Sequence, residues 1–266
     1  MMVSTPLSRL NRHSPRRLAG RARHLAPYWL AVLRGAPLEV QVKSLPRRTT
    51  TRVRWIDLRS ISLATDVRDW RAPGDGFALR GDWDLADASP RPSIFESVNG
   101  TAPKAMTHNT IRAMLLDGQD YRETPQYNFM LQAVDQRKPE MAYGCTSRVE
   151  VDEYFDNLLD AFESMRRHGY LTQRELGGDP FDEIKLYVTR TGSWCHGNGG
   201  NHRIRMAEVL GIQWVPFVVA GAHWEWVVGL SRAMASRPRA AVFKWLTGRE
   251  HIGELRRSPP TQHVVA

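Results

Sequence analysis

Features that define several common protein classes are scarce in this 266-residue sequence. It contains only two cysteines, Cys145 and Cys195, which are too few for a disulfide scaffold and are typical of a reducing cytosol. No run of about eighteen apolar residues occurs, so we expect no transmembrane helix. The N-terminus also lacks the long apolar segment and small-residue cleavage site of a secretory signal. We therefore expect a cytoplasmic protein.

Motifs of several enzyme classes are missing as well. The sequence has no Walker loop, no nucleophile elbow and no internal repeat. It also lacks the Cys-x-x-Cys and His-Glu-x-x-His spacings of zinc sites. We therefore do not expect His196, His202 and His223 to form a zinc set, and we predict no metal-ligating residues.

Acidic residues are nearly missing from the first part of the chain. In residues 1–50 the only acid is Glu39. The arginines of the same region are Arg9, Arg12, Arg16, Arg17, Arg21, Arg23, Arg34, Arg47 and Arg48. We interpret residues 1–50 as a basic, poorly ordered arm, with a short helix at residues 25–33, that could lie on DNA or on an anionic membrane. The net charge of +9 favours polyanionic partners, although arginine-rich composition is also typical of high-GC genomes.

The pattern after this arm predicts an α+β domain over residues 51–229. Residues 53–61 alternate apolar and polar side chains, as a strand does. Residues 93–175 are mainly of helical periodicity and predict a helical insert. Residues 184–197 predict a β-hairpin with a tight turn. We expect residues 230–266 to form a basic C-terminal appendage.

Two carboxylates flank Trp83 in the first half of the predicted domain. In an extended chain Asp82 and Asp84 would share one side and the indole would take the other. Such a pair could hold a metal or act as a base, and Asp57 of the first predicted strand adds a third carboxylate. These three aspartates are the candidate catalytic residues. The alternative is a polar loop held in place by a buried tryptophan.

A glycine-rich turn at residues 197–200 leads into Asn201, His202 and Arg203 and then into a predicted helix. The first turn of a helix carries unpaired N–H groups and partial positive charge, and glycines let the backbone approach an anion closely. Asparagine suits the N-cap, arginine suits forked contacts with phosphate, and histidine can donate or titrate. The predicted phosphate-binding residues are Gly199, Gly200, Asn201, His202 and Arg203. The alternative is a glycine turn with a histidine capping network.

An apolar strand at residues 214–220 follows that helix. The order of strand, helix and strand predicts a parallel crossover. His223 comes directly after this strand and is followed by Trp224 and Trp226. These side chains could close over the site and stack on a base, or they could anchor the C-terminal tail in the core. We include His223 among the candidate ligand-binding residues.

The segment at residues 184–227 resembles the central signature of the ParB/sulfiredoxin superfamily. That signature is a strand with a basic-glycine turn, an Asp-Gly-x-His-Arg-like box, a helix ending in Leu-Gly, and a strand opening with Val-Pro. The matching residues here are Gly200, Asn201, His202 and Arg203 for the box, Leu210 and Gly211, and Val215 and Pro216. Residues 53–61 are similar to the first strand of these domains.

The resemblance implies a ParB-like N-terminal domain: a small mixed sheet with a strand–glycine turn–helix–strand core and a helical insert. It also implies that the box binds nucleotide phosphates, of ATP or CTP, with or without Mg²⁺. Two departures matter. Sulfiredoxins have a catalytic cysteine where Asn201 stands, so sulfinic acid reduction is not expected, and Gly199 replaces the acidic residue often found before the box. The residues after Ala220 are too few for the DNA-binding and dimerisation regions of a full partition protein.

Functions of different classes fit these observations. In the first, a nucleotide-binding enzyme, an NTP-dependent phosphotransferase or NTP hydrolase, holds phosphates with His202 and Arg203 and uses one of the three aspartates as base or Mg²⁺ ligand. In the second, a ParB-like module without catalysis tracks DNA phosphates with its basic arm. A third is an accessory protein that binds a small phosphorylated ligand without turnover. The sequence does not predict the oligomeric state.

Overall fold

The computed structural model describes residues 25–50, 52–65, 76–100, 103–197 and 199–248. The helices are α1 (residues 25–33), α2 (Leu38–Lys43), α3 (Trp83–Ala86), α4 (Pro103–Leu115), α5 (Pro125–Asp135), α6 (Arg148–His168), α7 (Asn201–Val209), α8 (Trp224–Ala233) and α9 (Pro238–Gly248). The strands are β1 (Arg54–Asp57), β2 (Leu63–Thr65), β3 (Ala78–Leu79), β4 (Ala88–Pro90), β5 (Ile184–Val188), β6 (Trp194–His196) and β7 (Trp214–His223). No helix in these ranges is both long and apolar enough to cross a bilayer.

The strands form one mixed sheet in the order β1-β7-β5-β6-β2-β4, and β3 also pairs with β7. Strand β7 is antiparallel to β1 and parallel to β5 and β3. Strand β6 is antiparallel to β5 and parallel to β2, and β2 is antiparallel to β4. The predicted α+β class with a mixed sheet is therefore confirmed.

The predicted hairpin is formed by β5 and β6, with Gly192 at φ +83° in its turn. The predicted crossover holds for β5, which is parallel to β7, but it is wrong for β6. Although β6 directly precedes α7, it is antiparallel to β5 and is separated from β7 by that strand. The hairpin reverses the chain before the helix, so the parallel partner of β7 is the first arm of the hairpin.

Side chains of β5 alternate between two apolar clusters, as the two-residue period of a strand requires. Ile184, Leu186 and Val188 belong to the main core, together with buried residues of α7, α8 and β7. Tyr187 faces the other way and packs against a smaller cluster of Leu79, Trp83 and Cys195. The sheet is therefore covered on both faces near the end of β5.

The chain ends differ from the expected arm and appendage. Tyr28 of α1 and Val42 of α2 are buried in the main core, and so are Val242 and Leu246 of α9. These segments contain many arginines, but their apolar residues recur at helical spacing and pack inward. Residues 1–24 and 249–266, which contain the rest of the expected arm and appendage, lie outside the described residues.

Residues 93–175, the predicted helical insert, contain α4, α5 and α6. Helix α5 begins as expected, because the hydroxyl of Thr124 caps it and Pro125 is its first residue. Tyr127 of α5 and Phe155 of α6 belong to a second apolar cluster inside the insert. Helices α4 and α6 both contact α7, so the insert covers the region where α7 begins.

Candidate functional site

Helix α7 begins directly after two glycines with positive φ, Gly199 at +133° and Gly200 at +78°. Gly200, not Asn201 as predicted, is the N-cap, and no side chain caps the helix. Asparagine and glycine are both acceptable N-caps, but the left-handed backbone at this position favours glycine. A Cβ on Gly200 would lie 2.9 Å from the Cα of Ile184, so close packing against β5 also requires a glycine there.

Backbone hydrogen bonds hold the glycine turn against the start of β5. The N–H of Lys185 donates to the carbonyl of Gly199 at 3.3 Å, and the N–H of Gly197 donates to the carbonyl of Lys185 at 3.0 Å. The Nε2 atom of His196 lies 3.1 Å from the same Gly199 carbonyl. Burial lowers the pKa of His196 well below its usual value, so the neutral imidazole donates this bond through Nε2–H. His196 therefore anchors the turn.

The imidazole of His202 points into the helical insert. Its Nε2 atom lies 3.3 Å from Nε2 of Gln126 and 3.4 Å from the hydroxyl of Tyr154. Burial and then the charge of Arg203 lower the pKa of His202 to about 4, so the ring is neutral at neutral pH. In this orientation of the amide, Gln126 can only donate, which places the imidazole proton on Nδ1. His202 therefore has one N–H to offer a ligand.

Arg203 points elsewhere, toward the segment that precedes β5. Its guanidinium lies 3.2 Å from a carboxylate oxygen of Glu183 and also donates to the carbonyl of Asp182. Glu183 has no solvent exposure and accepts a hydrogen bond from the N–H of Gln173. Burial raises the pKa of Glu183, against the opposing effects of Gln173 and Arg203. An incoming anion would therefore compete with Glu183 for Arg203.

Two lysines lie beside the glycine turn. Lys104 of α4 donates to the carbonyl of His196 at 2.7 Å. The aliphatic stem of Lys185 passes Gly199, because a Cβ added there would be 2.9 Å from Lys185 Cδ. The ammonium of Lys185 itself lies 5.4 Å from the ring centroid of Phe181. Lys104, Lys185 and Arg203 are thus cationic residues near the start of α7, where the helix dipole adds partial positive charge. The turn is therefore in an electropositive environment.

Asp82, Asp84 and His223 are brought together, but in a structural network. The segment around Trp83 is the helix α3, so the predicted extended conformation is wrong. Asp84 is buried and accepts from the backbone N–H of Arg190 at 2.7 Å and from its Nε at 3.0 Å. Burial raises the pKa of Asp84, but the hydrogen bonds from Arg190 outweigh it and lower the pKa overall. Asp82 is exposed and contacts the same guanidinium at 2.6 Å.

Both ring nitrogens of His223 are engaged in this network. Its Nε2 atom lies 2.9 Å from the carbonyl of Gly81, and its Nδ1 atom accepts from the N–H of Glu225 at 3.2 Å. His223 thereby caps α8, and its Nε2 lies 3.8 Å from Asp84. This arrangement matches the alternative in which His223 anchors the C-terminal tail.

The three candidate catalytic aspartates do not share one site. Asp57 is opposite Trp214 at the start of β7, whereas Asp84 contacts His223 at its end. The ten residues of β7 separate them by about 30 Å. Hydrogen bonds from Arg59, and to a smaller extent from Gln213, lower the pKa of Asp57 to about 2.

The candidate phosphate-binding residues also lie far from the Asp84 network. Gly200 packs on Ile184, which is opposite Phe217 of β7, whereas Asp84 lies near His223. Six residues of a strand correspond to roughly 20 Å. The predicted partnership of the box with Asp82, Asp84 and His223 is therefore not found in the structure.

Residues that the sequence did not single out complete the surroundings of the box. They are Lys104, Gln126, Tyr143, Tyr154 and Glu183. The position of Glu183 in the sequence could have indicated its role, because an acidic residue directly before the strand is a natural partner for the box arginine. The others come from the insert, and no local pattern indicates which of its polar side chains face α7.

Within the described ranges, no group of three or more histidine, cysteine, aspartate or glutamate side chains is placed to hold a metal ion. His196, His202 and His223 each have separate partners. Cys145 and Cys195 are free and buried, and burial raises the pKa of Cys195 to about 12. No protein-family model, curated protein or solved structure matches this chain.

Proposed function

We propose that this protein binds the phosphate groups of a nucleotide at the amino end of α7. One observation carries the proposal: α7 starts from a left-handed glycine without any side-chain cap, so its first N–H groups face a glycine turn rather than an acceptor side chain. Such a helix start attracts anions through its N–H groups and its dipole. The ParB/sulfiredoxin resemblance of the same residues supports ATP or CTP as the ligand.

Charged side chains near the turn add to this attraction. Lys104, Lys185 and Arg203 surround the start of α7, and Glu183 is the acid paired with Arg203. A phosphate that draws Arg203 away from Glu183 gains a forked, charge-assisted contact. The imidazole of His202, neutral at neutral pH, can donate its Nδ1–H to a phosphate oxygen.

Turnover, as an NTP-dependent phosphotransferase or hydrolase, is a separate step of the proposal. Asp57, Asp82 and Asp84 lie away from the box and are paired with arginines. The titratable group inside the box is His202, whose low pKa leaves it neutral. Its Nδ1 carries the proton and its Nε2 accepts from Gln126, so we do not assign the proton acceptor of a hydrolysis step to His202.

Calorimetric titration of the full chain with ATP, CTP and sodium tripolyphosphate, with and without Mg²⁺, tests the binding proposal. We expect saturable binding and, at a hundredfold excess over Kd, a stability gain of about 2.7 kcal/mol. The double substitution His202→Ala and Arg203→Ala should weaken binding at least tenfold. The matched control is Arg167→Ala with His168→Ala, an adjacent exposed pair on α6. Unchanged affinity in the box variant would sink the proposal, and phosphate release separates binding from turnover.

DNA association is a second candidate, favoured by the arginines of residues 1–24. This segment contains six arginines and no acidic residue. Residues 25–50 contribute side chains to the main core, so the truncation that tests this candidate without removing them is deletion of residues 1–24. Deletion of residues 1–24 should then abolish retention on DNA, and retention by the intact chain should fall steeply with salt. Retention undiminished by that deletion rules this candidate out.

A further inference from the structure

The helical insert places the buried amide of Gln126 against the first turn of α7, and the proposed phosphate site makes no use of its oxygen. The side chain of Gln126 is 1% exposed, and its Nε2 is directed at His202. Its Oε1 atom is buried and has no hydrogen-bond partner among the residues that the structure describes. Buried carbonyl oxygens in folded proteins are nearly always paired, so an unpaired one at a candidate site indicates a missing partner.

A second buried oxygen of the same kind lies one residue away from His202. The Oδ1 atom of Asn201 also lacks a partner within the described part of the chain. Both atoms are carbonyl oxygens and can only accept hydrogen bonds. An ionised phosphate is itself an acceptor and cannot satisfy them. The missing partner must therefore carry N–H or O–H donors.

Aromatic side chains of the insert contact the imidazole of His202. The rings of Tyr143 and Tyr154 are stacked, with centroids 5.3 Å apart and an interplanar angle of 26°. Both rings are edge-on to His202, at 6.2 Å and 5.9 Å. Tyr143 is 49% exposed, so the stack extends from the partly buried imidazole to the surface. A flat, half-exposed ring beside His202 is suited to stacking on a planar heterocycle.

We propose that the nucleoside part of the nucleotide binds between α5, α6 and the first turn of α7. Its N–H or O–H groups donate to Oε1 of Gln126 and Oδ1 of Asn201, and its base lies against Tyr143. The donor is either an exocyclic amino group of the base or a hydroxyl of the sugar, because both can donate a hydrogen bond to a carbonyl oxygen. The inference rests on the proposed phosphate site, because the phosphates at the glycine turn would bring the nucleoside to the insert.

Calorimetric titrations of the full chain with four ligands separate the contributions of the phosphates, the base amino group and the sugar hydroxyls to the binding free energy. The ligands are ATP, purine riboside triphosphate without the amino group, 2′,3′-dideoxy-ATP without the sugar hydroxyls, and sodium tripolyphosphate. We expect ATP to bind more tightly than tripolyphosphate. One of the two analogues should lose about tenfold in affinity, as expected for one lost hydrogen bond at a buried acceptor, and that analogue identifies the donor.

The variant Gln126→Met keeps the length of the side chain and removes its acceptor. It should lower ATP affinity about tenfold more than tripolyphosphate affinity, because loss of the Gln126–His202 contact affects both ligands alike. Gln132→Met on the exposed side of the same helix is the matched control. Because Gln126 is buried, Tyr143→Ala provides a second test at a half-exposed position, and it should also weaken ATP selectively.

The outcomes separate this inference from the proposed function. Equal affinity for ATP and tripolyphosphate overturns the nucleoside site but leaves the phosphate site. If Gln126→Met weakens ATP and tripolyphosphate equally, the amide only positions His202. If Gln126→Met leaves ATP affinity unchanged, Oε1 of Gln126 has its hydrogen-bond partner within the protein. Either result overturns the inference. Failure of tripolyphosphate itself to bind overturns the proposed function.

Discussion

Arg203, the box arginine, forms an ion pair of 3.2 Å with Glu183, a carboxylate without solvent exposure. The cation that should meet a phosphate is therefore already held by an anion of the same protein. Replacing Glu183 with a neutral side chain of the same shape should therefore free the guanidinium of Arg203 for a ligand.

We expect Glu183→Gln to raise the affinity for tripolyphosphate by about tenfold, or ~1.4 kcal/mol. The neutral amide no longer competes for Arg203 or repels the phosphate. Calorimetric titration measures the change. Glu39→Gln, an exposed and remote substitution with the same change in charge, controls for net charge. A fall in affinity would show that Glu183 positions Arg203 for binding instead of restraining it.

The same pair should be visible in the pH dependence of stability. The unfolded pKa of Glu183 is near 4.5, and burial raises the folded pKa above it. Ionisation of Glu183 is therefore less favourable in the folded state, and its contribution to stability is lost as pH rises through the folded pKa. Urea unfolding should show Glu183→Gln gaining stability relative to the parent chain between about pH 4 and pH 8. A difference that is constant with pH contradicts this.

His202 should have the opposite pH dependence. Its pKa falls from 6.5 to about 4 on folding, so its contribution is present above pH 6.5 and is lost as pH falls through 4. The loss is at most about 3.4 kcal/mol, since the shift from 6.5 to about 4 is 2.5 pKa units and one unit corresponds to about 1.4 kcal/mol. Compared with the parent chain, His202→Gln should lose less stability between pH 7 and pH 4.5. Exposed His168 provides the control variant His168→Gln, which should keep the parent slope.

Asp82 and Asp84 are adjacent carboxylates on one arginine and provide a matched pair. Their side chains are 76% and 1% exposed, respectively. Asp84→Ala should cost about 3–5 kcal/mol in urea unfolding, because it leaves the guanidinium and N–H of Arg190 without their buried acceptor. Asp82→Ala should cost less than about 1 kcal/mol. Neither should alter tripolyphosphate affinity, and a loss of binding in Asp82→Ala would return these carboxylates to the ligand site.

Helix α9 tests whether the C-terminal region belongs to the core. Leu246 is 2% exposed within the main apolar cluster, so Leu246→Ala should cost about 2–5 kcal/mol. Lys244 on the exposed side of the same helix should tolerate Lys244→Ala within about 0.5 kcal/mol. Thermal and urea unfolding measure both. Similar small effects for the two variants would mean that α9 is the appendage expected from its composition.

Local patterns were sufficient for the elements around the box. The hairpin, α7 and β7 follow from alternation, glycine turns and a helix-ending glycine, all of which act within a few residues. The position of β5 between β6 and β7 depends on pairing between distant segments and has no such signal. Composition was misleading at the ends of the chain, where arginines surround Tyr28 and Leu246 although both side chains are buried.

Only the backbone conformation of the candidate site was predictable from the sequence. Gly199, Gly200 and the following helix were identified, because phosphate-type turns need positive φ. The partners of His202 and Arg203 were not, since side-chain direction depends on tertiary packing. Gln126 lies 76 residues before His202, and the pattern of α5 does not distinguish it from other glutamines.

The imidazole of His202 has its neighbours on two helices of the insert, at Gln126 on α5 and Tyr154 on α6. Movement of those helices away from α7 would remove both contacts at once. Local opening of the insert and exposure of the α7 start are therefore one event, and a ligand held at α7 resists both. Amide hydrogen exchange in α5 and α6 should slow when the site is occupied, although neither helix contributes to the glycine turn.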